Sequence, residues 1–177
     1  MRTLLQRLFD VGGALAALFV FAIFVVMLGA TVMREFGLPT GGTDDVVSWL
    51  TAAAAFFGLA HTFKHGDFVR VGLLLEKLPP GARRAFEIGS LTVATVFTGY
   101  LAWSVTAYVI DSWRFGDMAN GLVVIPIWIP QSSLAVGTVL LWLAVVDELL
   151  VVVRGGKPGY VEAVERRHAS GDFSEDV

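Results

Sequence analysis

Four long stretches without Asp, Glu, Lys or Arg divide the sequence. They cover residues 11–33, 46–63, 88–110 and 118–146, and they are 23, 18, 23 and 29 residues long. An α-helix rises about 1.5 Å per residue, so about 20 apolar residues cross a hydrocarbon core of about 30 Å. The pattern predicts an all-α membrane protein with four transmembrane helices, at about residues 11–34, 44–65, 82–112 and 130–153.

The connections between the four stretches contain turn-forming residues. "GLPTGGT" precedes the second helix and "LPPG" precedes the third, where the prolines stop the preceding segment from continuing. Pro126 and Pro130 split the last stretch, so we read residues 115–129 as an outer connection lying against the membrane, with a re-entrant hairpin as the alternative. The first stretch exceeds the 7 to 15 residues of a secretory h-region, so we read it as a retained helix.

A shorter amphipathic segment lies between the second and third helices. Over residues 66–79, apolar and charged side chains fall on opposite faces of a helix too short to span a bilayer. This pattern predicts an interfacial helix with its cations near lipid headgroups. The predicted lipid-anchoring residues are Lys64, His65, Arg70, Lys77, Arg83 and Arg84. Residues 1–154 then form the membrane domain, and residues 155–177 form a polar tail.

The distribution of positive charge predicts the orientation. Eleven of the thirteen Lys and Arg residues lie in the N-terminal segment, the middle connection or the C-terminal segment, and the opposite side holds only Arg34 and Arg114. By the positive-inside rule, both termini and the middle connection are cytoplasmic.

The apolar stretches lack the groups that membrane transporters use for their cargo. Ionisable residues inside a bilayer are costly and mark ion and substrate pathways, and these four stretches have no Asp, Glu, Lys or Arg. Asp147 and Glu148 follow the fourth stretch, where we expect water to reach them. The chain is therefore not expected to form a substrate pathway alone.

Small residues recur at helical spacing in the second and third helices. Such stripes let helix backbones approach closely in lipid. We expect these two helices to pack on each other, with a partner interface as the alternative. The stripes are Ser48, Thr51, Ala55, Gly58 and Thr62 in the second helix, and Thr92, Thr95, Gly99, Ala102 and Thr106 in the third.

His61 and His65 lie four residues apart, a spacing that can bind a metal ion. Two ligands are too few for a site, and the third His of the chain is His168 in the tail. A metal or haem redox protein built on this pair is therefore a rival hypothesis. We expect no cofactor, metal, catalytic residue or enzymatic activity, because the sequence contains no GxSxG, P-loop, HExxH or dinucleotide-binding motif and no Cys. The basic residues follow topology, so nucleic acid is not an expected partner.

Several segments together resemble one transporter family. These segments are "VMREFG" at the end of the first helix, "TDDVVSWL" at the start of the second, "FFGLAHTFKHGDFVRVGLL" followed by "LPP", and "GLVVIPIWIP" before the fourth. Over about residues 5–153 the chain resembles the small membrane subunit of tripartite ATP-independent periplasmic (TRAP) transporters. Phe68 and Gly72 depart from the family pattern, which commonly has His and an acidic residue there.

The resemblance implies the partners and the function. It implies a non-catalytic scaffold for a large permease subunit, which holds the sodium and substrate sites of an organic-acid importer. It also implies a periplasmic binding protein as partner and the bacterial inner membrane as location. Phospholipid is a further expected partner, from the predicted interfacial helix. The acidic residues on the outer side are candidates for docking that protein: Glu35, Asp44, Asp45 and Asp117. A self-sufficient oligomeric small transporter is the other alternative.

Overall fold

A computed structural model describes residues 2–65, 79–156, 159 and 161. These residues form four helices, namely α1 (Arg2–Glu35), α2 (Thr43–His65), α3 (Pro80–Phe115) and α4 (Trp128–Val153). Each is long and apolar enough to cross a membrane. The predicted all-α membrane fold with four transmembrane helices is confirmed. The predicted interfacial helix, with Arg70 and Lys77, falls outside the described residues except for Pro79.

Two helices extend beyond the charge-free stretches that predicted them. α1 has 34 residues and α3 has 36, so both measure about 50 Å and exceed the hydrocarbon thickness of about 30 Å. α1 continues back to Arg2 because Leu5 and Phe9 in its first turns pack into the core. α3 begins at Pro80, since a proline at the first helical position needs no hydrogen-bond partner for a backbone N–H.

The helices pack in the order α1, α2, α4, α3. The main interfaces join α1 to α2, α2 to α4, and α4 to α3. α2 and α4 are thus the inner helices, and α1 and α3 are the outer ones. The prediction that the second and third helices pack on each other is wrong, because α4 lies between them. Among the described residues, Gly58 of the first stripe lies against α1 and Gly99 of the second lies against α4.

The core lies mainly where α1, α2 and α4 meet. Phe9 of α1 is 1% exposed, and Phe57 and Ala60 of α2 pack with Ala144 of α4 in the same cluster. Phe19 adds an aromatic contact to Phe57, with 5.7 Å between the ring centroids. A smaller cluster of Leu91, Val145 and Val152 joins α3 to α4.

Two glycines permit close contacts of α4 with its neighbours. A Cβ at Gly137 of α4 would lie 2.6 to 2.8 Å from the Cβ, carbonyl carbon and carbonyl oxygen of Phe56 in α2. A Cβ at Gly99 of α3 would lie 2.8 Å from the indole Nε1 of Trp142 in α4. The inner helix pair and the α3–α4 pair therefore approach more closely than a side chain at either position permits.

The connection between α3 and α4 is a folded loop. Gly116 ends α3 with φ of 67°, and the Asp117 N–H donates to the Ser112 carbonyl, which together make a Schellman-type stop. The chain then doubles back, with the Ala119 N–H donating to the Ile125 carbonyl at 2.9 Å. None of residues 117–126 is helical, so the connection is not a helical re-entrant hairpin.

Candidate functional site

Charged groups gather at the end of the bundle where α1 and α3 begin and α2 and α4 end, which we call the basic end. The Lys64 ammonium of α2 donates to Glu148 Oε1 at 2.7 Å and also to Asp147 Oδ2. The ammonium lies 5.5 Å from the centre of the Phe9 ring of α1. This ion cluster therefore connects three helices.

The ion cluster is largely removed from water. The Glu148 side chain is 1% exposed, and those of Lys64 and Asp147 are 13% and 20% exposed. The expectation that water reaches Glu148 is wrong, because its side chain is buried and its two carboxylate oxygens contact Lys64 and Gly159. A buried carboxylate is costly unless it is paired and hydrogen-bonded, and Glu148 is both.

The chain following α4 returns to the same carboxylate. The Gly159 N–H donates to Glu148 Oε2 at 2.8 Å. A Cβ at Gly159 would lie 2.7 Å from Glu148 Oε1, so a residue without a side chain suits this contact. Both carboxylate oxygens of Glu148 thus have partners.

A second contact at the basic end joins α3 to α4. The Arg84 guanidinium donates to the carbonyls of Val153 at 3.2 Å and Val152 at 3.5 Å. These carbonyls lie in the last turn of α4, where the helix dipole favours a cation. Arg83 instead pairs with Glu87 within α3, at 3.3 Å.

The predicted lipid-anchoring residues therefore have different surroundings. Lys64 belongs to the ion cluster, Arg84 contacts the end of α4, and Arg83 is 44% exposed. His65 is exposed at the last residue of α2. The ion cluster was not predicted, since Lys64 and Glu148 are distant in sequence and only the α2–α4 packing brings them together.

At the opposite end of the bundle, which we call the acidic end, Asp45 holds the folded loop. Its Oδ2 accepts hydrogen bonds from the backbone N–H groups of Leu122 at 2.8 Å and Val123 at 3.2 Å. A Cβ at Gly121 would lie 2.2 Å from the same oxygen. The Asp45 carboxylate is thus engaged within the chain, whereas Glu35, Asp44 and Asp117 are exposed.

The hydroxyl groups of the small-residue stripes donate hydrogen bonds within their own helices. The hydroxyls of Thr51, Thr62, Thr92, Thr95 and Thr106 each donate to the carbonyl four residues earlier, and Ser48 does the same. Two further members of the stripes make contacts between helices, since Gly58 lies against Ala16 of α1 and Gly99 lies against Trp142. Ala102 is buried, whereas Ser48, Thr51, Ala55 and Thr92 are exposed.

His61 and His65 acquire a neighbour that the sequence did not indicate. Asp10 of α1 lies beside them, with 3.7 Å between its Oδ1 and His61 Nδ1. One possible ligand atom from each of the three residues lies within 4.8 Å of the other two. Sequence spacing could not indicate Asp10, because it belongs to a different helix.

The fold and the two polar ends define a multi-pass membrane protein whose charged groups brace the ends of the helices. A family model described as "Tripartite ATP-independent periplasmic transporters, DctQ component" matches residues 23–155. The chain therefore belongs to this family and is a small membrane subunit of a TRAP transporter. This assignment confirms the resemblance drawn from the sequence and makes the chain a multi-pass protein of the inner membrane.

A named relative points the same way. The chain is similar to the ectoine TRAP transporter small permease protein TeaB of Halomonas elongata, with 26% identity over 107 residues. The match covers 58% of this chain and 55% of the relative, so it spans about half the length of that protein.

Proposed function

We propose that this chain is the non-catalytic scaffold subunit of a sodium-coupled importer of organic acids. It supports a large permease subunit that holds the sodium and substrate sites, and it helps to dock the binding protein. The observation that carries the scaffold role is the absence of Asp, Glu, Lys and Arg from the four apolar stretches, because ionisable groups inside a bilayer mark ion and substrate pathways.

The exposed face of α1 is our candidate surface for the large subunit. Phe21 and Phe24 are 62% and 60% exposed, and Leu18 and Leu28 lie near them along the helix. α1 is also an outer helix, so a partner can reach this face without separating the inner pair. Phospholipid covers the remaining apolar surface and contacts the cations of the basic end, which we place in the cytoplasm with both termini.

Reconstitution tests whether this chain supports transport without carrying it out alone. The chain, the large permease subunit and the binding protein of the same system are placed in liposomes, and uptake of organic acids and of ectoine is measured with an inward sodium or potassium gradient. We expect uptake only with all three proteins and only with sodium. Sodium-driven uptake by this chain alone would exclude the scaffold role, and equal uptake with potassium would exclude sodium coupling.

Single cysteines test the proposed face, because the chain has no native Cys. Phe21→Cys on α1 and Phe97→Cys on α3 are matched, since Phe97 is 70% exposed on the other outer helix. We expect a thiol-attached photocrosslinker at position 21 to capture the large subunit and the same probe at position 97 to capture lipid. Capture of the large subunit from position 97 and of lipid from position 21 would place the interface on α3.

Docking of the binding protein is tested on the exposed acids. The triple variant Glu35→Gln, Asp44→Asn, Asp117→Asn is compared with wild type in the three-protein liposomes. We expect the binding-protein concentration for half-maximal uptake to rise, with the maximal rate unchanged, because only recognition is weakened. An unchanged concentration dependence would remove these acids from the docking surface.

A further inference from the structure

We propose that Asp10, His61 and His65 form a binding site for a divalent transition-metal ion between α1 and α2, at the basic end. Two imidazoles and one carboxylate are ligands that zinc and neighbouring first-row metals accept. The proposal revises the sequence-based expectation of no metal site, which rested on two histidines alone. It is independent of the proposed transport function.

The three side chains are already gathered. The ligand atoms lie within 4.8 Å of one another, and His61 Nδ1 is 3.7 Å from Asp10 Oδ1. Ligand atoms held at about 2.0 to 2.2 Å from one ion are about 3 to 3.5 Å apart. Small rotations of exposed side chains close the difference, since Asp10 is 61% exposed.

His61 is built into the contact between the two helices. Its ring lies so close to α1 that a Cβ at Gly13 would be 2.7 Å from His61 Cγ and 2.8 Å from Nδ1. The Nδ1 atom is buried and has no hydrogen-bond partner among the described residues. A buried nitrogen without a hydrogen bond is costly, and coordination to an ion beside Asp10 would satisfy it.

His65 is held in a tautomer suited to coordination. Its Nδ1 is 2.9 Å from the His61 carbonyl. A carbonyl only accepts, so Nδ1 is the donor, and in the neutral ring Nε2 then carries the lone pair. Metal-binding histidines commonly donate their second nitrogen in this way. The two imidazole rings lie with 4.0 Å between their centroids, tilted by 31°. One possible ligand atom of each lies within 4.8 Å of the Asp10 carboxylate.

The ion would join the start of α1 to the end of α2. His65 and Asp10 are exposed and His61 is 36% exposed, so an ion can enter from water. Three protein ligands leave at least one position for water or another ligand. Because binding requires both helices in place, the ion stabilises the α1–α2 pair.

The test uses the purified full chain in detergent, without a histidine tag. Zn²⁺ binding is measured by calorimetry, and Co²⁺ binding is measured by its visible absorption. We expect one ion per chain, a higher unfolding temperature with Zn²⁺, and at least about tenfold weaker binding in Asp10→Ala and in His65→Ala. Both positions are exposed, so both variants should fold, and their helical circular dichroism checks this.

The matched controls are His168→Ala and Glu35→Gln. They remove the one other histidine of the chain and an exposed carboxylate at the acidic end, and we expect wild-type binding in both. The proposal is overturned if the wild type binds no stoichiometric ion. It is also overturned if Asp10→Ala and His65→Ala bind as tightly as wild type, or if His168→Ala alone abolishes binding.

Discussion

Lys64 balances two carboxylates at a site that water barely reaches. Methionine at this position keeps most of the side-chain volume but leaves Asp147 and the 1%-exposed Glu148 without their cation. We therefore predict that Lys64→Met lowers the free energy of unfolding by about 3 to 5 kcal/mol, the usual cost of leaving a buried charge unpaired. Unfolding by SDS titration in mixed micelles measures it.

The carboxylates supply the controls for that substitution. Glu148→Gln leaves Lys64 paired with Asp147, so we expect a smaller loss of about 1 to 3 kcal/mol. The triple variant Lys64→Met, Asp147→Asn, Glu148→Gln removes every charge and should recover much of the stability lost in Lys64→Met. If the triple variant is no more stable than Lys64→Met, packing rather than unpaired charge explains the loss.

Asp45 and Asp44 give a matched pair at the acidic end. Asp45 accepts two loop hydrogen bonds, whereas the neighbouring Asp44 side chain is exposed. We predict that Asp45→Ala releases the loop between α3 and α4, so that the amides of Leu122 and Val123 exchange with solvent at least about tenfold faster, a change of about 1.4 kcal/mol. Hydrogen–deuterium exchange measures this.

Asp44→Ala controls for the loss of a carboxylate in the first turn of α2. It removes a similar favourable interaction with the helix dipole, and we expect loop exchange at the wild-type rate. Equal acceleration in both variants would mean that the loop depends on the α2 terminus as a whole and not on the Asp45 carboxylate.

At the scale of helices, glycine contacts set how closely the helices pack. We predict that Gly137→Ala is the most damaging of three alanine substitutions, with a loss of about 1 to 3 kcal/mol from overpacking, because its new Cβ meets the backbone of Phe56. Gly99→Ala should cost less, because the Trp142 ring it meets can rotate. SDS titration of the purified variants gives the ranking.

Gly89→Ala is the control within α3. A Cβ there meets nothing within 4 Å, and alanine favours a helix over glycine by up to about 1 kcal/mol. We expect unchanged or slightly raised stability. A loss at Gly89 equal to that at Gly137 would show that helix flexibility, and not close approach, explains the effect of all three glycines.

Helix positions were predictable because the hydrocarbon core demands long apolar segments, whatever they pack against. The ends of the helices were less predictable. α1 continues back to Arg2 through charged residues, because Leu5 and Phe9 pack into the core. The stripe in the third helix indicated close packing at Gly99 and Ala102 but could not indicate that α4 is the neighbour. Periodicity defines a face of a helix and leaves its partner open.

The polar sites depend on the whole arrangement of helices. Lys64 and Glu148 are separated by 84 positions, and Asp10 and His61 belong to different helices. Each group alone fits a solvated helix end. Only the packing order α1, α2, α4, α3 buries Glu148 and brings Asp10 to the histidines, so the sequence predicted the fold class but neither cluster.

The orientation of the whole molecule is predicted by charge, and single cysteines test it. Asn120→Cys lies in the loop at the acidic end, Gly81→Cys at the start of α3, and Ser170→Cys in the C-terminal tail. We expect an impermeant thiol reagent to label position 120 in intact cells, and to label positions 81 and 170 only after the inner membrane is opened, because eleven of the thirteen cations hold that side in the cytoplasm.

The cysteine-free wild type is the control for background labelling. Labelling of positions 81 and 170 in intact cells, with position 120 protected, would show that the protein has the opposite orientation in the membrane. Opposite accessibility of positions 81 and 170 would mean that α3 and α4 do not both cross. In that case the ion cluster, which joins the end of α2 to the end of α4, could not form in the membrane as it does in this fold.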